Sequence, residues 1–165
     1  ACGGGVEDAG EGVGGAGMAG GEERLEGVLN DLEELQDIVE QIDMAQTFAK
    51  IGGFGRLIAL AAPAYRPEKL RRRAASVLAT LTKNNPPAQA AFSSSGGQRF
   101  LLEAATANPS AENGDAVQPS TAVRLAFLHA LSCSVMGNAA SEDALCSEAR
   151  FQEFIAGALS QAGDG

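Results

Sequence analysis

The sequence predicts an all-α fold, a helical solenoid of about three repeats, and three observations predict it. A helix-ending phrase occurs twice about 43 residues apart, as QDIVEQIDMAQTFAKIGG over 36–53 and as VLATLTKNNPPAQAAFSSSGG over 77–97. Between the copies the apolar residues recur only at helical spacings of three and four. Ala and Leu carry the burial, with aromatics at 5% and no Trp, which suits helices packed closely in layers. Self-similarity at a period in the forties with this pattern points to an array of armadillo or HEAT type, and such arrays usually bind other proteins on a concave face. In the first register, Gln46 aligns with Gln89, and Leu35 and Ile38 with Leu78 and Leu81. With one residue then inserted, Phe48 aligns with Phe92 and Gly52-Gly53 with Gly96-Gly97.

The chain divides into a glycine-rich segment, 1–21, and a repeat domain, 22–165. Residues 1–21 contain ten glycines and almost nothing apolar, so burial cannot offset their ordering entropy and disorder is expected. From Glu22 the pattern changes. Leu25, Leu29, Leu32, Leu35, Ile38, Val39 and Ile42 form one apolar face, on a helix with nine acidic residues and one basic residue between Glu22 and Asp43. A short helix over about 44–51, a Gly-Gly turn and a helix holding Phe54, Leu57, Ile58 and Leu60 complete the first unit, which Pro63 and Pro67 end.

The second unit repeats this order: a long helix over about 68–83, a short one from Pro86, a Gly-Gly turn, then Phe100-Leu101-Leu102. Pro86 and Pro87 fit a first helical turn, where a missing N–H costs little. A polar loop follows over 107–120, rich in turn residues. The third unit begins near Thr121, where Leu128, Leu131 and Val135 take the core positions of Ala75, Leu78 and Thr82; its Gly-Gly turn is lost. The final helix presents Phe151, Phe154, Ile155 and Leu159 before SQAGDG. A solenoid end needs a polar cap, so this end is expected either to continue into a longer array or to pack on a partner, including by self-association.

Charge and cysteines narrow the function classes. A net charge of −9 argues against nucleic acid and anionic membranes as partners, and no apolar run approaches the roughly 18 residues of a membrane span. Cys2, Cys133 and Cys146 are odd in number and contain no CxxC pair, which fits a reducing compartment, the cytoplasm rather than the endoplasmic reticulum lumen. Gly12-Val13-Gly14-Gly15-Ala16-Gly17 matches the dinucleotide fingerprint literally, but it lacks the preceding strand and the βαβ unit. His129, Cys133 and Cys146 lack a fourth metal ligand, and a Cys–His pair lacks an orienting third group. No cofactor, metal or catalytic residue is expected. The basic cluster Arg66, Lys69, Arg71, Arg72 and Arg73 can pair with the acidic first helix or bind an acidic partner.

Three phrases together resemble the armadillo-type nucleotide exchange factors of DnaK-like (seventy-kilodalton heat-shock) chaperones, in particular their cytosolic branch. They are Ile42-Asp43-Met44-Ala45-Gln46 with Lys50-Ile51-Gly52-Gly53, then Asn84-Asn85-Pro86 with Ala88-Gln89, then Val123-Arg124 with Ala130-Leu131-Ser132. The resemblance covers about residues 22–148; Met44 stands where the family usually has Asn, and the family's fourth repeat has no counterpart in these residues. It implies a co-chaperone that wraps the ATPase domain of the chaperone, holds its nucleotide cleft open and speeds ADP release. The family also often has a flexible N-terminal segment that competes for the chaperone's substrate site; residues 1–21 are in that place but lack apolar residues.

In armadillo arrays the long closing helices line the groove. With Leu35, Leu78 and Leu131 pointing inward, the residues two before and two after them share the opposite stripe. These are Glu33 and Asp37, Ser76 and Thr80, and His129 and Cys133; one further turn adds Glu40, Lys83 and Met136. The acidic run reads equally as a solvated face. Ala45 carries over from the family phrase as a small residue near the partner, or else as a helix-packing alanine. The alternative function is a generic armadillo scaffold binding an extended peptide, although the Trp and Asn ladder of importin-like proteins is missing from these positions.

Overall fold

The computed structural model describes residues 16–62, 65–107 and 119–163. Among them are nine helices in three triplets and no strand; in the first two triplets a long helix precedes two of nine residues, and in the third a nine-residue helix lies between two of fifteen. The first triplet is α1 (Ala16–Val39), α2 (Ile42–Lys50) and α3 (Gly53–Ala61). The second is α4 (Glu68–Thr82), α5 (Pro86–Ser94) and α6 (Gly97–Ala105). The third is α7 (Thr121–Val135), α8 (Ala139–Ser147) and α9 (Ala149–Gly163). The opening helices lie side by side, α1 on α4 and α4 on α7. The second helices meet as α2 on α5, and the third as α3 on α6 and α6 on α9.

The repeated phrase now has a physical cause. Gly52 and Gly96 sit at φ 78° and 75°, in the left-handed region that a Cβ disfavours. The glycine after each has a phenylalanine ring laid on it, Phe48 over Gly53 and Phe92 over Gly97, so a Cβ at either position would fall inside the ring. The Phe, the turn glycine and the contact glycine therefore form one device. The third triplet loses all of it together, with Leu145 at the Phe position and an extended Glu148 joining α8 to α9.

A second device locks neighbouring triplets. The Arg71 guanidinium is buried and donates from Nε to the carbonyl of Ala61 at the end of α3, at 3.0 Å. Arg124, at the matching place on α7, donates to the carbonyl of Ala105 at the end of α6, at 2.9 Å. Each satisfies an orphan carbonyl of the preceding helix. Arg71 also lies 5.4 Å from the centre of the Phe127 ring, tying α4 to α7. Burial lowers its pKa, with Glu68 acting in the opposite direction. Gln89, fully buried on α5, donates from Nε2 to the carbonyls of Cys133 and Met136 at the end of α7, at 3.1 and 3.0 Å.

Two boundaries differ from the sequence reading: α1 ends at Val39, so Ile42, read as part of its apolar face, opens α2 instead. Helix α1 begins at Ala16, so residues 16–21, expected to be disordered, belong to it. Extending an existing helix adds one hydrogen bond per residue fixed, which Gly20 and Gly21 weaken without forbidding. Residues 1–15, which hold most of the dinucleotide-like glycines, lie outside the described residues, as does 108–118 of the polar loop.

The register also shifts. Helices α2 and α5 are both nine residues long, so Gln89 corresponds to Ala45 and not to Gln46. The inserted residue falls in the linker between α4 and α5, where Asn84 takes a left-handed φ of 52°. The equivalent residue after α7 is Gly137, at φ 74°.

Candidate functional site

The three long helices make one open face, and a groove of about 540 Å³ crosses it. Helix α1 supplies Glu26, Asn30 and Glu33 to one wall, α4 supplies Lys69, Arg72, Arg73 and Ser76 to the floor, and α7 supplies Ala126 and His129 to the other wall. Within α4 these residues are spaced three and four apart, so they form one stripe. Lys69 Nζ lies 3.9 Å from Glu26 and Arg73 Nη2 lies 3.6 Å from Glu33. The basic cluster thus pairs in part with the acidic first helix. Both pairs are solvent-exposed, where such contacts contribute about 0–1 kcal/mol.

Of the ten residues read from the sequence as partner-facing, Glu33, Ser76 and His129 come together in this groove. Asp37, Glu40, Lys83 and Met136 are exposed farther along the same helices or at their ends, and Thr80 is half-buried, its hydroxyl donating to the Ser76 carbonyl at 3.2 Å.

Two do not offer their side chains to a partner. Ala45 is 1% exposed, on the inner face of α2, which packs on α4 and α5. Of its two readings, the packing alanine is the one the fold requires. Cys133 is 4% exposed because α5 packs on the end of α7 and Gln89 reaches to its carbonyl.

The sequence reading missed Glu26, Leu29, Asn30, Lys69, Arg72, Arg73 and Ala126 as groove residues. The signal was present. Counting three, four and seven back from Glu33, Ser76 and His129 reaches them, whereas the reading extended the stripe only toward the helix C-termini.

The pair of Cys133 and His129 does not make an activated nucleophile. Cys133 Sγ lies 3.6 Å from His129 Nε2, but burial pushes its thiol pKa up, only partly opposed by the charge of Lys83. A thiol held protonated is a poor nucleophile. Among the described residues no three His, Cys, Asp or Glu side chains gather as metal ligands, and no helix is long and apolar enough to cross a membrane.

No protein-family model matches the chain, and no curated protein matches it.

Proposed function

We propose that this chain is a co-chaperone of the exchange-factor type, an armadillo-type solenoid whose face of long helices binds the ATPase domain of a DnaK-type chaperone and promotes ADP release. The observation that carries the reading is the place of the three resembling phrases. Two of them fall where helices join and one lies within a helix: Ile42–Gly53 covers α2 and the turn after it, Asn84–Gln89 the linker and start of α5, and Val123–Ser132 the body of α7. The stacking of first helices on first helices, third on third, and α2 on α5 supports the armadillo type. Asp37, Glu40, Lys83 and Met136, exposed beyond the groove, are the side chains proposed to meet the chaperone.

The mechanism needs no reacting group in this chain. A surface that binds the open form of a nucleotide cleft more tightly than the closed form shifts the population toward open. By linkage, ADP must then weaken the binding of this chain by the same factor as the chain weakens ADP.

The test is a titration of the protein onto the isolated ATPase domain, with and without saturating ADP. We expect binding that ADP weakens. The open groove favours a second reading, a scaffold for an extended peptide, and the same titration separates the two. Binding indifferent to ADP, or none, removes the exchange reading and leaves the scaffold.

A further inference from the structure

Across the groove the charge changes sign from helix to helix. The α1 wall is acidic, with Glu26 and Glu33. The α4 floor is basic, with Lys69, Arg72 and Arg73. The α7 side carries no formal charge: Ala126 and His129 line the groove, and Leu125, four residues before His129 on the same stripe, is 61% exposed. An apolar residue that covers this side chain removes apolar area from water, at about 25 cal/mol per Å².

The internal pairs do not close the groove, because exposed ion pairs are weak and exchange readily with a partner's charges. Arg72 makes no ion pair among the described residues.

We propose that this groove binds an extended protein segment carrying a basic, an acidic and an apolar residue in that order, spaced about three residues apart, read in either chain direction. The spacing follows from geometry. Packed helix axes lie about 8–10 Å apart, and a chain extended in the polyproline II conformation rises about 3.1 Å per residue with three residues per turn, so residues three apart face the same side and sit about one helix spacing apart.

In the bound arrangement the basic residue meets Glu33 or Glu26, the acidic residue meets Arg72, and the apolar residue covers Leu125. This rests on the scaffold reading of the groove and not on any chaperone contact, so ADP release and segment binding can fail separately.

The test uses fluorescein-labelled peptides in a Gly/Ser background with Lys, Glu and Leu at three-residue spacing in all six orders, titrated against the protein by anisotropy. The order Lys–Glu–Leu and its reverse should bind about tenfold or more tightly than the orders that place Lys or Leu in the middle. High salt should remove the difference. Arg72→Glu, an exposed change that leaves the melting temperature in place, should move the preference to peptides with Lys in the middle. Equal binding of all six orders, binding of none, or an unchanged preference in Arg72→Glu would each overturn the proposal.

Discussion

Helices α1 and α4 carry the same apolar pattern, yet they bury it to different extents. Leu81 on α4 is 0% exposed, and its counterpart Ile38 on α1 is 47% exposed. Leu78 is fully buried, and its counterpart Leu35 only half-buried. Helix α4 has α1 on one side and α7 on the other, whereas α1 packs mainly on α4 and α2. The sequence pattern decides that each segment is a helix with an apolar face, and the neighbours decide how much of that face leaves water. In a stack where each unit touches only the next, stability is a sum over such interfaces, and equal residues have unequal weight.

The largest expected effect is at a buried site that the sequence alone left open. Ala45→Arg forces a charge into the joint of α2 with α4 and α5, and an unpaired buried charge costs several kcal/mol, about 3–5 where a partner is missing. Chemical denaturation should show a protein unfolded or nearly so. A folded Ala45→Arg variant would mean that this joint is looser than its burial indicates.

Next comes the direct comparison. Leu81→Ala should cost about 2–5 kcal/mol, while Ile38→Ala should cost about 1 kcal/mol or less, since that side chain is already half in water. Equal losses in urea melts would show that α1 is covered in solution.

Arg71→Met should follow, at about 1–3 kcal/mol, because it leaves the Ala61 carbonyl without its donor. Arg124→Met, at the less buried copy of the same device, should cost less.

The smallest effect is on reactivity. In a Cys2→Ser background, Cys146 is exposed and Cys133 buried with a raised thiol pKa, so a thiol reagent near pH 8 should label Cys146 quickly and Cys133 only on unfolding. The sign for stability follows. Cys133 favours the folded state fully below the unfolded thiol pKa, and that contribution is lost as pH rises through its raised folded value. Cys133→Ser should flatten the alkaline fall in stability.

Much of the architecture was legible because local signals carry it. Leu25 through Val39 announce α1 by spacing, Pro67 and Pro86 mark helix starts, and the paired glycines mark turns whose backbone needs them. What local signals could not supply was register across the linkers. The extra residue before α5 leaves almost no trace in composition, so Gln89 was matched to Gln46 when its place corresponds to Ala45. Burial by a third helix was equally hidden, as Cys133 shows: it is buried where α5 packs on α7, whereas Thr80, placed relative to Leu78 as Cys133 is to Leu131, stays half-buried. The groove stripe was legible in part, through Glu33, Ser76 and His129. Its charged half lay one and two turns upstream, within reach of the same periodicity.

The most direct test of the functional account is the release rate of labelled ADP from a DnaK-type chaperone after mixing with saturating protein. The account predicts faster release with the wild-type chain, and loss of that acceleration in an Asp37→Lys/Glu40→Lys variant whose melting temperature stays within a few degrees. Release unchanged by the wild-type chain, despite measured binding to the ATPase domain, would contradict it.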